Sequence, residues 1–163
     1  MKWTTLPARK VTTLLDEFEA MHKRITERAF EIFRDRGARV GAALDDWLTA
    51  ERQTVWKPAI EVYERDRQIF IEAAVAGVEP RQLDIQATPT SLLIKADLSH
   101  THPPDKGTVH VCEFQSGHLF RLVPLPAEID PNAVKAEYRN GLLRVSAAIA
   151  AEQRAKNVEI RAA

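Results

Sequence analysis

The sequence predicts a mainly β protein: an antiparallel β-sandwich that carries an N-terminal α-helical hairpin and a short C-terminal extension. From Trp56 onward, many short apolar segments are separated by close turn signals with no helix between them. Before Trp56, apolar residues recur at spacings of three and four, the period of an amphipathic helix. We expect the helical arm to span residues 1–55, the sandwich 56–148 and the extension 149–163.

Two helices are predicted in the arm. Thr13 can cap the first helix and Gly37 can end it. The second helix begins near Asp45 or Asp46 and must end before Pro58, because a proline disfavours helical backbone in the preceding residue. The first helix has one apolar stripe, formed by Leu14, Phe18, Met21, Ile25, Ala29 and Ile32.

Eight segments of the sandwich are predicted as strands. They are "IEVYERD", "QIFIEAAV", "LDIQA", "SLLIKA", "HVCEF", "HLFRLVPL", "VKAEY" and "LLRVSAA". The "RNG" before "LLRV" indicates a tight hairpin turn, because Asn and Gly both tolerate positive φ. The polar stretch at residues 97–108 contains two prolines, which exclude a central strand, so we expect a mobile loop there.

Composition excludes several classes of protein. Lys+Arg and Asp+Glu both number 23, so there is no global basic field, and we expect no nucleic-acid partner. No apolar run approaches the length of a membrane span, and the N-terminus lacks the apolar segment of a signal peptide. Cys112 is the only cysteine, so no internal disulfide can form. We therefore expect a cytoplasmic protein with a reduced, packed thiol.

Motifs that carry chemistry are scarce. The sequence has no Gly-rich phosphate loop, nucleophile elbow or zinc-protease motif, so we expect no enzyme, no cofactor and no catalytic residue. His100, His102, His110 and Cys112 could place metal ligands on one side of extended chain. They match no motif template, so solvated loop histidines are favoured and no metal is expected. Zinc bound in stoichiometric amount would revive a metal-dependent activity.

The order of these segments resembles the small heat shock protein family, the alpha-crystallin domain proteins. The matching stretches are "PAIEVYERDRQIFIEAAVAGV", "HLFRLVPLPAEIDPNAVKAEYRNGLLRV" and the terminal "VEI". The family signature A-x-x-x-(N/D)-G-(V/L)-L is met by Ala136, Asn140, Gly141, Leu142 and Leu143. The resemblance covers about residues 56–148 and the tail, and it implies an immunoglobulin-like sandwich.

This chain departs from the family pattern at several points. Ala76 replaces a proline in the turn, the usual Leu-Pro-Lys after the last strand is missing, and the terminal motif is V-x-I rather than I-x-I. The loop before Glu113 is short for the strand that many bacterial members swap onto a partner subunit. In the arm, "RAFEIFRDRG" and "DDWLTAERQ" resemble a short helical domain of unknown function in bacterial proteins.

The resemblance implies an ATP-independent holdase chaperone that binds partly unfolded client proteins and forms a homo-oligomer. Val158 and Ile160 would insert into an edge groove of a neighbouring sandwich, and Arg121 matches the family's dimer-interface arginine. From the residues alone, Arg121 is either an exposed-face residue or an ion-pair partner at an interface. A non-chaperone interaction module, acting as a co-chaperone or scaffold, is the alternative function.

Candidate client contacts lie in the helical arm: Phe18, Met21, Phe30, Phe33 and Trp47. Partly unfolded proteins expose apolar segments and strand edges, which such side chains can bind. The alternative is that these residues pack within the arm, and packing is favoured for most of them individually.

Overall fold

The computed structural model describes residues 2–103, 105, 107–114 and 116–151. These residues form ten strands, two helices and a short 3₁₀ turn at Pro80–Gln82. The helices are α1 (Leu15–Asp35) and α2 (Ala43–Thr54). The strands are β1 (Thr4–Leu6), β2 (Ala8–Lys10), β3 (Val55–Trp56), β4 (Ile60–Arg65), β5 (Gln68–Ala74), β6 (Asp84–Ala87), β7 (Ser91–Leu98), β8 (Gly117–Pro124), β9 (Lys135–Arg139) and β10 (Leu142–Ala148).

Two five-stranded sheets form the sandwich. Sheet A has the strand order β1-β9-β10-β5-β4, and sheet B has the order β2-β6-β7-β8-β3. All neighbours are antiparallel except two short pairs, β2 with β6 and β3 with β8. The predicted mainly β sandwich with an N-terminal helical hairpin is therefore confirmed.

The "RNG" turn has the conformation that the sequence predicts. Arg139 pairs with Leu142, which leaves Asn140 and Gly141 as a two-residue turn with φ values of 51° and 80°. A Cβ atom on Gly141 would lie 2.9 Å from the Cα atom of Ala76, so only glycine fits this position without a shift of the backbone.

The main core lies between the sheets, where alternate residues of each strand point inward. Its largest members are fully buried: Ile69, Ile71, Val75, Ile85, Leu92, Ile94, Leu119, Leu143 and Val145. Sheet B is also covered on its outer face, where Leu93 packs with Leu14 and Phe120 in a second cluster. The three consecutive apolar residues at 92–94 of β7 reflect this burial on both faces.

The helical hairpin covers the outer face of sheet B. Helix α1 begins at Leu15, whose backbone N–H donates to Oγ1 of Thr13 at 3.1 Å. At the other end of α1, Arg36 makes a two-point ion pair with the buried carboxylate of Asp46 on α2, at 2.8 and 2.7 Å. Such bidentate geometry fixes the two helices relative to each other.

Three predictions about local structure are wrong. The segment from Thr4 to Lys10 forms β1 and β2, although no strand was predicted before Trp56. Residues 110–114 form no strand, because the alternating pattern there has no neighbouring strand to pair with. Cys112 lies in this irregular segment and is exposed rather than packed.

Candidate functional site

The chain's own N-terminal segment covers one side of the sandwich. β1 pairs with the edge of sheet A at β9, the chain crosses at Pro7, and β2 pairs with the edge of sheet B at β6. Leu6 enters the main core and is 8% exposed. Two contacts from Arg9 to Asp84, at 3.2 and 2.7 Å, hold β2 in place. The edges of β9 and β6 are therefore covered while residues 4–10 stay bound.

Free strand edges remain on the opposite side of the sandwich. β4 is the last strand of sheet A, and its Val62 is partly exposed. In sheet B, β3 pairs with β8 only at His118 and Leu119. From Phe120 onward, no described strand lies beside β8 on that side. Unpaired backbone N–H and C=O groups at an edge can bind an added strand.

A largely apolar cleft of about 420 Å³ lies between the helical hairpin and the free part of β8. The rings of Phe18 on α1 and Phe120 on β8 meet edge-to-face, with centroids 5.5 Å apart. One turn along α1 from Phe18, the ring of His22 lies 4.9 Å from the ring of Trp47 on α2. Glu51, Lys57 and Arg121 also line the cleft, but most of its surface is apolar, so it can receive an apolar segment.

The structure brings three of the five candidate client contacts together. Phe18, Met21 and Trp47 all line the cleft, which we call the hairpin cleft. Phe30 and Phe33 do not line it; their rings lie 6.1 Å apart, and each ring has an arginine guanidinium against it. The predicted apolar stripe of α1 contains Phe18 and Met21 but not Phe30 or Phe33, so the sequence pattern already separates these residues of α1. The place of Trp47, which lies on α2, depends on tertiary packing.

Arg121 lies in the same hairpin cleft. It is half-buried, and its Nε atom is shielded from solvent without a hydrogen-bond partner among the described residues. No carboxylate in the described part of the chain forms an ion pair with it. An unpaired guanidinium nitrogen in a shielded place is unfavourable, so Arg121 is suited to an acceptor from outside the described residues.

A chain of charges holds α1 against sheet B. Lys95 donates to both carboxylate oxygens of Glu17 at 2.7 Å and lies 3.4 Å from Asp84. The Lys95 hydrogen bond lowers the pKa of Glu17, against the opposing effect of burial, and Gln86 adds to the lowering. Burial alone would raise the pKa of Asp84, but hydrogen bonds from Arg9 and Gln86 outweigh it and leave that pKa lowered.

Two further groups of candidate residues have different outcomes. Val158 and Ile160 lie outside the described residues, so their docking stays a prediction. Of the four possible metal ligands, His100, His102 and Cys112 come together in the loop between β7 and β8, whereas His110 is not part of that group.

The covered edge at β1 and β2 was missed by sequence reasoning. A weak signal was present, since Leu6 and Ala8 are spaced two apart around Pro7. Two such residues point to the same side of an extended segment, as Val158 and Ile160 do in the tail.

Comparisons with known proteins identify the class. The Hsp20/alpha crystallin family matches residues 61–161, and a family of unknown function, DUF2934, matches residues 20–54. The chain therefore belongs to the Hsp20/alpha crystallin family, the small heat shock proteins, which are chaperones rather than enzymes. The predicted resemblance of the helical arm to a bacterial domain of unknown function is also confirmed.

Individual relatives are distant. A probable 15 kDa heat shock protein of Leptospira interrogans is 25% identical over 96 residues, which cover 59% of this chain and 72% of the relative. The alpha-crystallin of Mycobacterium tuberculosis is 32% identical over 93 residues, which cover 56% of this chain and 62% of the relative. The solved heat shock protein 16.0 of Schizosaccharomyces pombe has a TM-score of 0.54 at 23% identity, and the match covers 65% of this chain and 99% of that chain.

Among the described helices, none combines the length and apolar character needed to cross a membrane.

Proposed function

We propose that this protein is an ATP-independent holdase that binds extended, apolar segments of partly unfolded proteins in the hairpin cleft. One observation carries the proposal: a largely apolar cleft lies beside the stretch of β8 from Phe120 onward, whose side opposite β7 has no neighbouring strand among the described residues. A client segment can thus add backbone hydrogen bonds at the edge while its side chains enter the cleft.

The energetics of such a site fit reversible capture. Burying one large apolar side chain contributes about 1.5–3 kcal/mol at best. Ordering the client segment offsets part of this gain. Each contact is therefore weak and exchangeable, and no nucleotide hydrolysis is needed to release the client.

The chain has a single cysteine and so forms no internal disulfide, which is consistent with a protein that acts in the reducing cytoplasm.

Assembly into a homo-oligomer would strengthen weak binding through multivalency. We propose that Val158 and Ile160 dock on the sandwich of a neighbouring subunit and that Arg121 donates hydrogen bonds to a carboxylate across a subunit interface. The Nε atom of Arg121, which has no hydrogen-bond partner in the described part of the chain, supports the second contact. The side of the sandwich at β6 and β9 is already covered by residues 4–10, so tail docking there requires this segment to leave.

Aggregation of a heat-labile client, followed by turbidity without ATP, tests the holdase proposal. We expect the wild-type chain to suppress aggregation, and Phe18→Ser/Trp47→Ser to suppress it several-fold less, because both side chains line the hairpin cleft. Val40→Ser is the matched control, since Val40 is 93% exposed and lies outside the cleft. Circular dichroism confirms that each variant is folded.

Two results would count against the proposal. If the client aggregates equally with and without the wild-type chain, the holdase activity is absent. Combined with a monomeric mass by light scattering, that result would favour the scaffold alternative. If Val40→Ser impairs suppression as much as the cleft variant does, general surface apolarity and not the hairpin cleft binds the client.

A further inference from the structure

The loop between β7 and β8 gathers three side chains that bind metals well. One ligand atom each from His100, His102 and Cys112 lies within 4.8 Å of the other two. The two histidines come from the outgoing limb of the loop and the cysteine from the returning limb. The group shares no residue with the hairpin cleft, so its chemistry is independent of the proposed client site.

His100 is held in place by its neighbours. Its backbone N–H donates to Oγ of Ser116 at 3.0 Å, and its ring stacks on Phe114 with centroids 4.7 Å apart. The ring of His102 meets it edge-on at 4.8 Å. The Nε2 atom of His100 is shielded from solvent and has no hydrogen-bond partner among the described residues. A shielded ring nitrogen without a partner is unfavourable, and a bound cation removes that cost.

The type of ligand selects the metal. Two imidazole nitrogens and one thiolate suit Zn²⁺, whereas Mg²⁺ and Ca²⁺ prefer oxygen ligands. Metal–ligand bonds of about 2.0–2.3 Å place the ligand atoms of a tetrahedral site roughly 3.3–3.8 Å apart. The three ligand atoms must therefore draw together by about 1 Å. Cys112 and His102 are exposed and can supply this movement by side-chain rotation.

We propose that His100, His102 and Cys112 form a zinc site that ties the two limbs of the β7–β8 loop together. Binding deprotonates the Cys112 thiol and releases its proton to solvent, while both imidazoles bind in their neutral form. A water molecule completes the fourth position. Bound zinc would fix the backbone near Val111 and Phe114, whose side chains are 79% and 72% exposed. The metal therefore determines the positions of these two apolar side chains on the surface.

Cobalt titration of the reduced, metal-free, full-length chain tests the site. We expect about one equivalent of Co²⁺ to give the visible bands of a tetrahedral site and a near-ultraviolet thiolate-to-cobalt band. Zn²⁺ should displace the cobalt. Cys112→Ser should lose the thiolate band, and His100→Ala or His102→Ala should weaken binding by at least about tenfold. His110→Ala is the matched control from the same loop and should bind as the wild type does.

Limited proteolysis supplies a readout that does not depend on spectroscopy. Zn²⁺ should slow cleavage between residues 99 and 116 in the wild type and in His110→Ala, but not in Cys112→Ser. The proposal is overturned if no thiolate band forms or if Cys112→Ser keeps it. It is equally overturned if His110→Ala weakens binding as much as His100→Ala, because that result indicates nonspecific binding by surface histidines.

Discussion

Glu17 on α1 accepts hydrogen bonds from Lys95 on β7 at both carboxylate oxygens, each 2.7 Å long. This ion pair connects the helical hairpin directly to sheet B, at residues 78 positions apart in the chain. Both side chains are about three-quarters buried, at 26% and 29% exposed, so solvent screens the pair less than it screens a surface pair. Docking of the hairpin, which forms one wall of the hairpin cleft, should therefore depend on the charge of Glu17.

Acid should weaken this docking. The pKa of Glu17 is lower in the folded chain than its ordinary value of 4.5, chiefly because of the Lys95 hydrogen bond. A lowered folded-state pKa contributes stability above the unfolded value, and that stability is lost as pH falls through the folded pKa. At pH 7 we expect Glu17→Gln to lower the free energy of unfolding by about 1 kcal/mol. Urea unfolding at pH 7 and under acid conditions measures the difference, which should shrink in acid.

A surface ion pair provides the control for this measurement. Glu27 lies 4.0 Å from Lys23 on the exposed face of α1. Glu27→Gln should change the free energy of unfolding by less than about 0.5 kcal/mol at either pH. An equal effect of both substitutions would show that the Glu17–Lys95 pair does not hold the hairpin.

Local signals in the sequence predicted most of the fold. The turn at Asn140 and Gly141 was predictable because its chemistry lies in two adjacent residues. The core strands themselves were predictable, because alternation of apolar and polar residues reports burial on one face. The additional burial of Leu93 under the hairpin is consistent with its place between two other apolar residues, Leu92 and Ile94.

The remaining features depend on distant contacts. Leu6 pairs with Ala136, and three residues of β1 are too few to show a period. Residues 110–114 alternate as a strand would, but a strand also needs a neighbour, which single-sequence patterns do not reveal. The position of Arg121 in the hairpin cleft likewise depends on how the helices pack, not on its apolar surroundings in sequence.

Replacement of Gly141 by alanine should destabilise the sandwich. The position has φ of +80°, and an added Cβ would lie 2.9 Å from the Cα atom of Ala76. Because the contact is with a backbone atom, only a shift of the backbone could relieve it. We expect a loss of roughly 2–4 kcal/mol in the free energy of unfolding, measured by urea denaturation.

Gly77 is the matched control for the Gly141 prediction. It has a similar φ of +89°, yet no atom lies within 4 Å of the position of its added Cβ. Gly77→Ala should therefore cost only the conformational penalty of about 1–2 kcal/mol. If the two variants unfold at the same urea concentration, the close approach to Ala76 contributes nothing.

The tail should contribute to assembly. Val158→Ala/Ile160→Ala removes most of the apolar surface of the terminal motif. We expect this variant to have a lower mass than the wild type by light scattering at the same concentration. Glu159→Ala is the control, because it changes the charged residue between Val158 and Ile160 and leaves both apolar side chains in place. Wild-type mass in the Val158/Ile160 variant would rule out the tail as an assembly contact.

Release of the N-terminal segment should increase assembly through the tail. An aspartate in place of Leu6 puts a carboxylate in the main core, so β1 and β2 should leave the edges of β9 and β6 rather than bury the charge. The opened side can then receive Val158 and Ile160, because both segments present apolar side chains two residues apart. We expect Leu6→Asp to form larger oligomers than the wild type, measured by light scattering.

Adding Val158→Ala/Ile160→Ala to Leu6→Asp should reverse the increase. An increase that persists in the combined variant would mean that the bare strand edges associate directly, without the tail. Thr5→Asp, at an exposed position of β1, controls for the added charge and should leave the mass unchanged.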